Sequence, residues 1–169
     1  MQQIEPLVFY FEDDGITPNN KLPVLIYRDI LKNVKEKHAD FLEKTFQENY
    51  WTNNWRDIIL GEDHYHSTTH EVLGISKGSV NLQLGGKNGK QLLVSAGDVI
   101  VIPAGVAHRS MDVHSGYEVV GGYPDGRAWD MIYCEAEKYN AAKTVIEALP
   151  IPKTDPMFGT NGPLNGFWK

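Results

Sequence analysis

Cysteine is almost missing from this 169-residue chain, where Cys134 stands alone. A single thiol closes no internal disulfide, which excludes a disulfide-stapled scaffold and suits a reducing compartment. Long apolar runs are missing too. None approaches the roughly 20 residues of a membrane-spanning helix, and the N-terminal stretch has no basic segment followed by an apolar one. Both features lead to the expectation of a cytoplasmic protein with no membrane partner. Positive charge is scarce: Lys plus Arg number 16 against 22 Asp plus Glu, a net charge of −6. Phosphate backbones need a basic surface, so nucleic acid is excluded as the main partner. No repeat, low-complexity tract or linker interrupts the chain. It reads as one domain over 1–169, long enough to bury about 70 % of the surface its unfolded form would expose.

What the chain does have is short β-rich stretches and glycine turns. Leu7–Phe11 and Leu22–Tyr27 read as strands separated by the turn Glu12-Asp13-Asp14-Gly15. From about 34 to 50, Val34, His38, Phe41, Leu42, Thr45 and Phe46 recur at three- and four-residue intervals, which predicts a helix. Trp51 and Trp55 then fall in a polar stretch that reads as a linker. Strand candidates follow at Glu71–Ile75, Val80–Leu84, Gln91–Val94, Val99–Ile102, Ala107–Val113 and Tyr117–Tyr123. Gly85-Gly86-Lys87-Asn88-Gly89 is a hairpin signal. This many strands with no helix between them predicts an all-β, antiparallel barrel or sandwich over about 55–123. Strands and a helix in 1–50 precede it. A helix over Ala136–Leu149 and a proline-rich arm over 150–169 complete the 134–169 region. The arm carries Met157, Phe158, Leu164, Phe167 and Trp168, too many large apolar groups for a disordered tail. It is expected to pack on the barrel or on another subunit.

Two segments carry chemistry. His64 and His66 are two residues apart, so in a strand both side chains face one side. Glu71 lies at an odd offset from His66, which requires the Ser67-Thr68-Thr69 stretch to bend, bulge or cross to an adjoining strand. His108 follows the turn Pro103-Ala104-Gly105-Val106-Ala107. Imidazoles with a carboxylate suit a borderline divalent metal.

These segments resemble the two motifs of the cupin superfamily. The first, H-x-H-(x)3–4-E-(x)6-G, is met by His64, His66, Glu71 and Gly78, although Ile58 stands where the family has a glycine six positions earlier. The second, G-(x)5-P-x-G-x2-H-x3-N, is met by Gly97, Pro103, Gly105 and His108, with Asp112 in place of the last Asn. His-Tyr-His-Ser-Thr-Thr-His-Glu-Val-Leu-Gly, the Val-Gly-Gly-Tyr-Pro segment at 120–124, Asp155-Pro156 and Gly162-Pro163-Leu164 are similar to the YjlB-type group of bacterial cupins over most of the chain. The resemblance implies a cupin-type, jelly-roll-like double-stranded β-helix with peripheral helices. It implies that His64, His66, Glu71 and His108 hold one divalent transition metal (iron, manganese, nickel or zinc) and that the chain forms a homodimer. His70 is the alternative ligand, because it stands at the three-residue spacing other cupins use for their Glu, whereas Gly78 keeps the family offset from Glu71.

Three neutral imidazoles and one carboxylate leave a divalent ion with about one net positive charge, which favours an anionic or chelating small-molecule ligand. The expected activity is that of a mononuclear metalloenzyme, dioxygenase-like or isomerase- or decarboxylase-like, on a small organic acid, sugar or aromatic. The alternative is a binding module without turnover. Tyr117, Glu118 and Tyr123 are candidates for the barrel lining by their place on a late strand. Other signals fall away. Gly74-Ile75-Ser76-Lys77-Gly78 has the nucleophile-elbow pattern but precedes a strand rather than a helix. Gly74 replaces the second His of an H-E-x-x-H helix. His38, His114 and Cys134 lie outside both motifs and read as structural.

Overall fold

Alternating apolar stretches pair into two antiparallel sheets in the computed structural model, which describes residues 4–169. In chain order the elements are β1 (Leu7–Phe11), β2 (Asn20–Tyr27), α1 (His38–Glu48), β3 (Trp51–Asp57), β4 (His64–Tyr65), β5 (Glu71–Lys77), β6 (Ser79–Leu84) and β7 (Lys90–Ser95). Then come β8 (Val99–Ile102), β9 (His108–Ser110), β10 (Glu118–Pro124), β11 (Ile132–Tyr133), α2 (Tyr139–Glu147) and the single turn α3 (Leu164–Phe167). The larger sheet has the order β1-β2-β8-β5-β10-β3 and the smaller β11-β4-β9-β6-β7. Their packed faces make the all-β, jelly-roll-like barrel. Among the described residues no helix is long and apolar enough to cross a membrane.

The period-two pattern explains the layering. Val24 and Ile26 of β2, Ile100 and Ile102 of β8, and Leu73 and Ile75 of β5 face the smaller sheet. There they meet Val80, Leu82 and Leu84 of β6 and Val94 of β7. The intervening Leu25, Tyr27, Val72, Val99, Val101 and Val120 face outward but are covered by Leu42 and Phe46 of α1 and by Leu164 and Trp168 of the arm. Central strands of the larger sheet are therefore apolar on both faces, as in Val99-Ile100-Val101-Ile102.

Several sequence expectations need correcting. Trp51 and Trp55 are not in a linker; they lie in β3, the edge strand paired with β10. Nor is the barrel confined to about 55–123, since β1 and β2 extend the larger sheet through the β2–β8 pairing. Helix α1 starts at His38 rather than near 34, and β9 covers only His108–Ser110 of the expected 107–113 stretch. The motif glycines Gly78, Gly97 and Gly105 take left-handed backbone, with φ of +70°, +101° and +87°. Gly85 and Gly86, also left-handed, turn β6 into β7 as the hairpin signal predicts.

The arm packs on its own barrel. Trp168 donates its indole N–H to Pro23 O at 2.9 Å, and Trp51 donates to Thr154 O at 2.9 Å. Asp155 organises the arm from a fully buried position. Its carboxylate accepts from the amides of Met157 (2.8 Å), Phe158 (3.1 Å) and Leu164 (3.1 Å), and from the Tyr27 hydroxyl. Asp155→Ala strands those donors away from water. The expected cost is about 3 kcal/mol, a fall in Tm of roughly 6–12 °C for a chain of this size. A calorimetric shift below about 2 °C would show that the arm is held elsewhere.

Candidate metal centre

The candidate residues meet where the two sheets open at one end of the barrel. His64 and His108 are direct partners across the β4–β9 ladder, with ring centroids 4.3 Å apart. His66 turns to the same side, its ring 5.7 Å from His64 and 5.5 Å from His108. One ring nitrogen from each of the three lies within 4.8 Å of the others, and all three side chains are buried. Glu71 comes from the opposite sheet. Residues 66–70 carry the chain from β4 to β5, with His66 just past the strand end, so the odd offset between His66 and Glu71 is absorbed by a change of sheet. Its Oε2 sits 3.2 Å from His66 Nε2 and 3.1 Å from His108 Nε2, and its Oε1 accepts from the Tyr123 hydroxyl at 3.2 Å.

Backbone carbonyls set the tautomers. A carbonyl only accepts, so Nδ1 carries the proton in His64, which donates to Glu62 O at 2.9 Å, and in His108, which donates to Val106 O at 3.0 Å. His66 Nδ1 donates likewise to Asp130 O. All three Nε2 atoms are thereby turned inward, the arrangement usual for imidazoles that bind metal. Glu71 Oε2 is buried without a hydrogen-bond donor, because the two neutral imidazoles beside it carry their proton on Nδ1 and present a bare Nε2.

Such a cluster needs positive charge. Burial, with help from His108, pushes His64 down to about 3. Burial also opposes charging His66, but Glu71 and the bond to Asp130 outweigh it and raise its pKa. Glu71 mirrors this: burial would raise it, yet His66 and His108 hold it below the usual carboxylate range. A proton on His66 is one way to offset the carboxylate. A divalent cation meets the same need with all three Nε2 atoms and the orphaned oxygen at once, and the donor set suits a borderline ion.

Comparison with known proteins gives the family. The family described as "Cupin domain" matches residues 60–114. The "Uncharacterized protein YjlB" of Bacillus subtilis (strain 168) is 32% identical over 165 residues, 97% of each chain. The chain belongs to the YjlB-like cupins. Among solved structures it is similar to a cadmium-containing acireductone dioxygenase from Bacillus anthracis (14% identity, 65% of this chain and 83% of that one, TM-score 0.46). It is also similar to a 3,4-ketoisomerase from Helicobacter canadensis (13% identity, 87% of this chain and 99% of that one, TM-score 0.43).

Not every candidate of this cupin reaches the centre. His70 is buried but turned away: its Nδ1 accepts from Ala104 N at 3.0 Å, Nε2 donates to Pro150 O at 3.3 Å, and the ring lies 4.9 Å from Trp168. Burial pushes it down to about 4, so it is a neutral, fully partnered structural group. Tyr123 lines the cavity. Tyr117 does not; its hydroxyl accepts from Ile59 N at 2.8 Å and donates to Ile59 O at 3.1 Å inside the core. Glu118 faces away and accepts from Ser76 Oγ at 2.7 Å. Asp112, at the family's Asn position, accepts from the backbone amide of Asn81 at 3.0 Å and from its side chain at 2.8 Å.

One residue was not legible beforehand. The Asp130 carboxylate accepts from Ser67 N at 2.7 Å, Thr68 N at 3.2 Å, Thr68 Oγ1 at 3.1 Å and the Ser67 hydroxyl. Its own carbonyl orients His66. Burial would raise its pKa, but these bonds hold it low. Asp130→Ala removes the clamp on the bend that follows His66. Its affinity for cobalt(II), followed by calorimetry, is expected to fall about tenfold or more with an unchanged far-ultraviolet dichroism spectrum. Unchanged affinity would show that the bend holds without it.

Proposed function

We propose that this cupin is a mononuclear metalloenzyme. His64, His66, His108 and Glu71 hold one divalent transition metal, iron, manganese, nickel or zinc. The cavity of about 380 Å³ that opens onto them takes a small organic substrate. The observation that carries the reading is the preset donor geometry, three inward Nε2 lone pairs around a buried carboxylate oxygen that has no donor. Bound there, the ion would supply Lewis-acid polarisation or, if iron, dioxygen chemistry.

The chain's own residues tune that chemistry. Trp55 donates its indole N–H to the Tyr123 oxygen at 2.8 Å, and Tyr123 in turn donates to Glu71. This relay holds the Glu71 carboxylate in place. Burial and the neighbouring Glu71 push the Tyr123 phenol well above its ordinary value. Tyr123 is therefore a fixed donor and not a general base. Apart from Glu71 and the histidines, the one carboxylate lining the cavity is Asp57, exposed and already accepting from Ile58 N at 2.7 Å. A poor supply of free bases favours the dioxygenase-like reading over isomerisation by side-chain proton transfer.

Elemental analysis of protein purified without a histidine-rich tag tests the proposal, with about one transition metal per chain expected. His108→Ala should lose that metal and stay folded; full occupancy in this variant overturns the ligand set. Glu71→Ala and His70→Ala separate the two alternatives for the fourth ligand. The Glu71 change should lower metal affinity at least about tenfold. The His70 change should keep the metal and destabilise the fold by roughly 1–3 kcal/mol, since the buried Ala104 N–H loses its acceptor.

A further inference from the structure

We infer that the cavity selects a planar, apolar or aromatic molecule bearing a single acidic chelating group, and rejects phosphorylated compounds. The inference rests on the metal reading for the chelating end and on the cavity walls for the rest. The apolar part of those walls is Trp55, Ile58, Ile59, Leu60, Leu73, Trp129 and Met131. Polar Asn53, Asn54, Arg56 and Asp57 line it too, with the Asn54 amide spent on Trp51 O and Gly121 O.

Trp55 is a fixed wall. Its indole N–H is taken by Tyr123, and its ring lies against the backbone of Gly121, where a Cβ would fall 2.2 Å from Cε2. One side of the ring is packed on the sheet, and the residue lines the cavity. Trp129 stands at the mouth, 47% exposed, its ring 5.9 Å from His66 and inclined at 66°. Ile58 and Leu60 share the mouth at 40% and 41% exposure. Three large apolar side chains exposed around one opening mark a surface that a ligand covers.

Charge points the same way. Arg56 is the one cationic Lys or Arg side chain in the lining, and it is held outside by Asp40 and Glu43, each at 2.9 Å. No free guanidinium or ammonium in the lining remains to grip a phosphate, whose recognition relies on such groups. Net charge of about one on the loaded centre suits a single carboxylate or an oxo-acid head. The volume sits near the low end of small-molecule sites, which run from roughly 300 to 1,000 Å³.

The test uses the full chain loaded with cobalt(II) and follows its visible spectrum during titration with three probes that share a head group. Phenylpyruvate has the ring, pyruvate lacks it, and 3-phosphohydroxypyruvate keeps the 2-oxo acid and carries a phosphate in place of the ring. Phenylpyruvate should bind at least about tenfold tighter than pyruvate, the gain from burying a ring, and 3-phosphohydroxypyruvate should bind no tighter than pyruvate. Trp129→Ala should bring phenylpyruvate down toward pyruvate with cobalt affinity unchanged. Gly121→Ala, which drives Trp55 off the sheet into the cavity, should also bring phenylpyruvate down toward pyruvate, and should weaken cobalt as well because Trp55 leaves Tyr123 and with it the relay to Glu71. Equal binding of phenylpyruvate and pyruvate, tightest binding of 3-phosphohydroxypyruvate, or no response to any probe overturns the inference while the cobalt spectrum leaves the metal reading standing. Failure to bind cobalt overturns the metal reading, and the inference with it.

Discussion

A carboxylate buried at the open end of the barrel is the constraint around which the site is arranged. Removing Glu71 from water costs several kcal/mol unless charge and donors replace the lost hydration. Tyr123 supplies one donor, and the imidazoles of His66 and His108 crowd the other oxygen. Glu71 and Tyr123 belong to the larger sheet, whereas His64 and His108 belong to the smaller one. The compensating groups therefore reach Glu71 only if the two sheets keep their spacing and register. At the closed end, Ile75, Val80, Leu82 and Val94 hold the sheets together by apolar contact. At the open end, polar groups do that work and leave room for a ligand.

Rigidity behind the site follows from what covers the larger sheet. With α1 and the arm on its outer face, β5, β8 and β10 are packed on both sides. Asp155 ties the arm to Tyr27, and Trp168 ties it to Pro23. His70 belongs to this supporting layer, wedged between Ala104, Pro150 and Trp168. Its burial beside Glu71 in sequence reflects the alternation of a strand, with one residue serving the barrel interior and its neighbour the outer packing.

Strands with glycine turns were legible because their signals are local: period-two alternation and residues that tolerate left-handed backbone. The four central residues were legible because two motifs fix their offsets. Features set by distant contacts were not. Asp130 lies more than sixty residues from the Ser67-Thr68 bend it clamps, and nothing in its neighbours marks it. Strand β3 escaped because Asn53 and Asn54 interrupt the strand-favouring Trp51, Thr52 and Trp55; Asn53 has φ +57°, and the pairing slips register between Gly121 and Tyr123. Tyr117 and Tyr123 share a face by parity, but alternation does not say which end of the barrel each occupies. One end is core and the other is cavity.

The division between motif and wall has a chemical consequence. His64, His66, Glu71 and His108 all lie within the two motif segments, so those segments gather the imidazoles and the carboxylate at one place. The surfaces a substrate would touch lie mostly outside them. Trp55 comes from the edge strand, Tyr123 from β10, and Trp129 and Met131 from the loop that Asp130 pins to the bend after His66. Gly121 matters because it lets the edge-strand indole lie flat where any side chain would displace it. Changes in β3 or in residues 127–131 would reshape the cavity with little effect on the donors below it. Asp130 links the two parts, since its carbonyl orients His66 while its loop carries Trp129 over the opening. The cavity walls and the imidazole cluster are thus coupled through one loop, and a change there would disturb both where a change in the walls alone would not.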